Sequence, residues 1–129
     1  MGSQHNGPVS VLLAEDDAAN RFVLTSYLEK LGMAVRPATN GMEALQLLDD
    51  ELFDLVILDI VLPGMDGLEV LTRLRDPSHP QRGVAVLVQT GRVTREDLAR
   101  FREAGCDACV AKPYRPEDIM GKVVDVLTA

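Results

Sequence analysis

Four apolar runs in this chain end on side chains able to do chemistry. Leu55-Val56-Ile57-Leu58 closes on Asp59, within the stretch DLVILDIVLPGMDG. Val9 to Ala14 closes on Glu15, Asp16 and Asp17; Val84 to Val88 on Gln89, Thr90 and Gly91; and Ala108 to Ala111 on Lys112 and Pro113. A carboxylate at the end of so oily a run either points to water or has a role. Crowded carboxylates repel, and the cost is relieved by protonation or by a cation. Hard oxygen donors suit Mg²⁺, which takes one or two protein carboxylates together with phosphate oxygens and waters. With Lys112 as a second positive charge and Thr90 as a hydroxyl donor, Asp59 is set up as a nucleophile toward a phosphoryl group, since cations neutralise charge on the transferred oxygens. Gly91 leaves room for backbone to approach that phosphate.

Each residue alone has a plainer reading. Asp16 and Asp17 suit helix N-caps, Thr90 a turn, and Lys112 a solvated strand end. Their coincidence at the ends of different runs is what favours a shared site, provided those ends meet in space.

The elements that would bring them together follow from periodicity. Strand-like runs cover Val9 to Ala14, Met33 to Arg36, Leu55 to Leu58, Val84 to Val88 and Ala108 to Ala111. Between and after them lie apolar stripes at helical spacing: Val23, Leu24, Tyr27, Leu28 and Leu31; Met42, Leu45 and Leu48; Leu68, Leu71 and Leu74; Leu98 and Phe101; Ile119, Met120, Val123 and Leu127. Gly32 and Gly105 stand where helices should stop, Thr94 with Asp97 makes a capping pattern, and Pro116 fits a first helical turn. Five βα units imply an α/β fold: a doubly wound, five-stranded parallel sheet with helices on both faces. Ligands of such sheets bind beyond the strands' carboxyl ends, where the polar residues lie. Pro37 places the second strand at an edge.

The 129 residues, 47% of them apolar, suffice for one domain. Thirteen Lys and Arg against twenty Asp and Glu give a net charge of −7, which argues against direct contact with nucleic acid and for a basic protein surface or a cation as partner. The apolar runs fall short of the roughly 18 to 20 residues that span a bilayer, and no charged-then-apolar leader opens the chain, so no membrane insertion and a cytoplasmic location are expected. Residues 1–8, MGSQHNGP, read as a disordered lead-in, and 9–129 as the domain. Cys106 and Cys109 form a C-x-x-C whose context, after Gly105 and running into apolar residues, favours two small half-buried residues at a strand entrance over a redox pair or zinc half-site. His5 and His79 receive no role.

Taken in order, VLLAEDD, DLVILDIVLPGMDG, VLVQTG and VAKPY resemble the receiver domain of two-component response regulators, from Ser10 to Leu127. The resemblance implies a flavodoxin-like (βα)5 fold with strand order 2-1-3-4-5. It implies that Asp59 accepts phosphate from a phosphohistidine on a histidine kinase or histidine phosphotransfer protein. Mg²⁺ would be bound directly by Asp16 and Asp59 and by the backbone carbonyl of Val61, with Glu15 acting largely through water. Thr90, after a small inward shift, and Lys112 would hold phosphoryl oxygens, and Lys112-Pro113 is similar to the family's cis peptide. The protein would be a signalling switch that catalyses its own phosphorylation and dephosphorylation, not an enzyme. Its output would be read on the last two helices and last strand. The stretch NRFVLTSYLEKLGMAV looks most like hybrid-kinase and stand-alone receivers.

Three departures stand out. Cys109 occupies the place of the family's rotating Tyr or Phe, coupled to Thr90. Val61 and Arg92 fall where the family tunes attack of water on the acyl phosphate, and this pair suggests slow loss of phosphate. No output domain follows Ala129, so a signal is expected to leave through a surface. Two other readings compete: a phosphatase resembling the haloacid-dehalogenase superfamily, which needs a second Asp where Val61 stands and its nucleophile on the first strand; and a docking module that is not phosphorylated, for which Cys109 is the one foothold.

Overall fold

The computed structural model describes residues 7–91 and 94–128. Most of the expected lead-in, including His5, and the expected tuning residue Arg92 lie outside the described residues. The chain runs β1 (Ser10–Ala14), α1 (Ala18–Lys30), β2 (Ala34–Ala38), α2 (Gly41–Asp50), β3 (Leu55–Asp59), α3 (Gly67–Leu74), β4 (Ala85–Thr90), α4 (Arg95–Ala104), β5 (Ala108–Ala111) and α5 (Pro116–Thr128). The strands pair in parallel in the order β2-β1-β3-β4-β5, as the resemblance implied.

The apolar runs are unbroken because both faces of the sheet are covered. Alternate residues serve different cores. Leu12, Ala14, Val56, Leu58, Val86 and Val88 pack with α2, α3 and Phe101 of α4, whereas Val11, Leu13, Leu55, Ile57, Leu87 and Val110 pack with α1 and α5. Pro37 lies in edge strand β2, where its missing N–H costs no ladder bond on the open side.

Several boundaries and faces differ from the expectation. β2 runs on through Pro37 to Ala38 instead of ending at Arg36. β3 and β4 extend to Asp59 and Thr90, so these two residues are held in the sheet itself and not in the loops that follow. The α1 stripe narrows to Leu24 and Leu28, with Val23 and Leu31 about half exposed, and Met42 points outward from α2, whose buried face is Gly41, Ala44 and Leu48. Gly41 sets that face: a Cβ there would lie 2.1 Å from the Met65 carbonyl oxygen, so only glycine lets α2 sit so close. The helix starts are capped as expected at Thr94, and also at Asp17, Asn40 and Asp66, each accepting from the backbone N–H three residues on. Among the described residues no helix is long and apolar enough to cross a membrane.

Two polar side chains, one partly and one fully buried, tie loops to this frame. Arg75 donates to the carbonyls of Gly105, Arg82 and Val84 and pairs with Asp107 at 3.1 Å. Gln81 accepts from Phe53 N–H at 2.9 Å and donates to the carbonyls of Leu48 at 2.7 Å and Glu51 at 2.6 Å. Gln81→Leu keeps the volume but strands three backbone groups, each worth about 1–3 kcal/mol when buried without a partner. A loss of about 3 kcal/mol or more is expected, seen as a lower urea midpoint at unchanged slope; an unchanged midpoint would contradict this role.

Candidate functional site

Because the strands are parallel, their carboxyl ends share one edge, and the polar residues do meet there. Asp59, 3% exposed, accepts from the Val61 N–H at 3.0 Å through Oδ1 and from Lys112 Nζ at 2.6 Å through Oδ2. The same ammonium lies 3.0 Å from Oε1 of fully buried Glu15. Ligand oxygens of Glu15, Asp16 and Asp59 all lie within 4.8 Å of one another. Asp17 stands apart from this group, since its carboxylate caps α1 by accepting from Asn20 N–H. Of the two aspartates that suited capping, one therefore caps and the other joins the site.

The electrostatics explain why these groups need each other. Burial pushes the Asp59 carboxyl up, against the pull of Lys112 and the Val61 N–H, and Glu15 adds to the rise. Burial acts to lower the Lys112 ammonium, but its hydrogen bonds to Asp59 and Glu15 prevail and raise it, so the cation is retained. Three carboxylates against one ammonium leave about two negative charges when all are ionised, a balance that a divalent cation would close. The all-oxygen donor set and the mixture of buried and exposed carboxylates fit Mg²⁺, which keeps part of its water shell.

A cavity of about 280 Å³ opens past the β3 and β4 ends, lined by Ile60, Val61, Thr90, Gly91, Asp97 and Phe101 among others. Thr90, 2% exposed, lies at its wall, on the strand that pairs with β3. A Cβ at Gly91 would meet nothing within 4 Å, so the approach there is open. Val61 is 71% exposed and sends no carboxylate toward Asp59, leaving the phosphatase reading without its second acid. Cys109, half-buried, packs against the core cluster that includes Phe101, and burial, then the neighbouring Cys106, push its thiol up. The Lys112-Pro113 peptide is cis.

Asn20 and Tyr114 were not expected at the site, and Gln89 was placed at a run end without a role. Glu15 also accepts from Asn20 Nδ2 at 2.9 Å and from Gln89 Nε2 at 3.1 Å, and Gln89 in turn accepts from the Tyr114 hydroxyl. The available signal was Gln89 itself: an amide inside an otherwise apolar, two-sided buried strand must find partners.

The model of the response regulator receiver domain family matches residues 11–124. The transcriptional regulatory protein SrrA of Staphylococcus aureus is 32% identical over 117 residues, which is 91% of this chain and 47% of that protein, so the chain spans about half the length of this curated relative. The structure of chemotaxis protein CheY4 of Vibrio cholerae superposes with a TM-score of 0.88 at 26% identity, covering 94% of this chain and all of that one. The receiver domain of sensor histidine kinase PA1611 of Pseudomonas aeruginosa PAO1, solved with a magnesium ion coordinated in its active site cleft, shares the fold at TM-score 0.85 and 23% identity, covering 95% of this chain and 100% of its own.

Proposed function

We propose, from the premise that this chain belongs to the response regulator receiver domain family of two-component systems, that Asp59 is its phosphoacceptor. The observation that carries the proposal is the contact of a nearly buried carboxylate with Lys112 at 2.6 Å, beside two further carboxylates. An Asp59 oxygen attacks the phosphorus of a phosphohistidine; a P–O bond forms as the P–N bond breaks, and the electron pair leaves with the imidazole nitrogen. Lys112 neutralises one non-bridging oxygen of the product acyl phosphate, and the Thr90 hydroxyl, at the end of the neighbouring strand β4, donates to another. Asp16 and Asp59, with the Val61 backbone carbonyl, would hold Mg²⁺ directly and Glu15 largely through water, and the ion when bound offsets negative charge on the transferred group. The magnesium in the PA1611 receiver supports this choice of ion.

The phosphoryl donor is a histidine kinase or histidine phosphotransfer protein in the cytoplasm, and the chain is a switch that catalyses its own phosphorylation and dephosphorylation, not an enzyme acting on a separate substrate. The acyl phosphate adds roughly −1.5 to −2 charge, enough to bias a two-state equilibrium in the loops after β3 and β4. Incubation with phosphoramidate and Mg²⁺ should add one phosphoryl group to the intact mass, and EDTA should prevent it. An equal adduct in EDTA would exclude the metal-dependent route.

A further inference from the structure

Gln89 is fully buried at the end of β4, one residue before Thr90. Its two ends face different groups, Nε2 toward Glu15 and Oε1 toward the Tyr114 hydroxyl. Chemistry fixes this orientation. An ionised carboxylate can only accept, so the amide nitrogen must face Glu15, the amide oxygen must face the phenol, and the phenol must donate. Burial, and then the charges of Glu15 and Asp59, push the Tyr114 hydroxyl up, which keeps that proton in place. The partly buried Tyr114 packs against the core cluster that includes Val110, Ile119 and Val123. Among the described residues the other side-chain donors to Glu15 are Lys112, which Asp59 shares, and Asn20, which is partly exposed, whereas Gln89 is fully buried.

We propose that Gln89 and Tyr114 form a positioning pair for Mg²⁺ binding, in which the Tyr114 hydroxyl orients the Gln89 amide and that amide holds the Glu15 carboxylate toward Asp16 and Asp59. The inference rests on the receiver reading of the acidic site and extends it to two residues that touch none of the reacting atoms. Hydrogen-bond partners standing behind metal ligands typically control affinity by 10–100-fold.

The test is calorimetric titration of Mg²⁺ into the native chain, Gln89→Leu and Tyr114→Phe, with thermal unfolding and phosphoramidate phosphorylation measured alongside. Gln89→Leu should weaken Mg²⁺ binding by about tenfold or more, and Tyr114→Phe, which keeps the ring packing, by a smaller factor in the same direction. Both should regain the native phosphorylation rate at saturating Mg²⁺, so that the half-saturating metal concentration rises while the maximum rate holds. Should Gln89→Leu fail to fold, Tyr114→Phe decides alone. Native Mg²⁺ affinity in Tyr114→Phe, with or without a loss of thermal stability, would overturn the pair and leave the receiver reading standing. Absence of Mg²⁺ binding by the native chain would instead overturn the receiver reading and the pair with it.

Discussion

Lys112→Ala is expected to slow phosphorylation of Asp59 by about 10²–10³-fold at saturating Mg²⁺, the usual cost of removing one preorganised donor aimed at developing charge. The partly buried ammonium stands 2.6 Å from Asp59 Oδ2 and 3.0 Å from Glu15 Oε1, so it is already held beside the carboxylate where phosphoryl charge would develop. Its removal also leaves two buried carboxylates without their shared cation. Burial already raises the Asp59 carboxyl, and losing Lys112 removes the largest protein interaction opposing that rise, so the carboxyl of the metal-free site moves further up. Both effects act in one direction. The initial rate of the mass adduct with phosphoramidate, followed from mildly acidic to mildly alkaline pH, measures them together; a rate within a few-fold of native throughout would show that Lys112 is a bystander.

Gly67→Ala should do as much damage by a purely steric route. Gly67 opens α3, donates its N–H to the Ile60 carbonyl at 2.8 Å, and packs so tightly that a Cβ would lie 2.1 Å from the Asp59 carbonyl oxygen and 2.8 Å from Ile60 Cα. These are backbone atoms of the last residue of β3 and the one after it, and they cannot rotate away. Overpacking a core typically costs about 1–3 kcal/mol, and a clash against backbone belongs at the upper end, near 3 kcal/mol. Because the displaced atoms are those of Asp59 and Ile60, phosphorylation should fall as stability falls. Gly121, inside α5, is the control: a Cβ there meets nothing within 4 Å, so alanine should be neutral or stabilise by about 0.5–1 kcal/mol. Equal urea midpoints for the Gly67 and Gly121 variants would contradict the close approach.

Much of this molecule could be read from the chain because its signals are local. The unbroken runs at Leu55 to Leu58 and Val84 to Val88 could hardly be anything but strands covered on both faces, and the alternation of runs and stripes dictated parallel pairing. Charged residues at run ends announced Glu15, Asp16, Asp59 and Lys112 for the same reason. What periodicity does not carry is the choice between neighbouring helix faces. Phe22 and Val23 make α1 apolar on more than one side, and the outward turn of Met42 follows from the contact of Gly41 with Met65, made by a loop far along the chain. Gln89 and Gln81 were opaque on similar grounds. A neutral amide declares no chemistry by itself; its role comes from partners 74 residues away at Glu15 and 28 residues away at Phe53. Cys109 illustrates the converse, since its identity departed from the family pattern and the structure gives it an ordinary place in the core.

The central claim, that Asp59 forms an acyl phosphate, is tested most directly by intact mass of the native chain and Asp59→Asn after identical treatment with phosphoramidate and Mg²⁺. Asparagine keeps the shape and removes the nucleophilic oxyanion. One phosphoryl group is expected on the native chain and none on Asp59→Asn. The same adduct on both proteins would contradict the claim and move the acceptor to another residue.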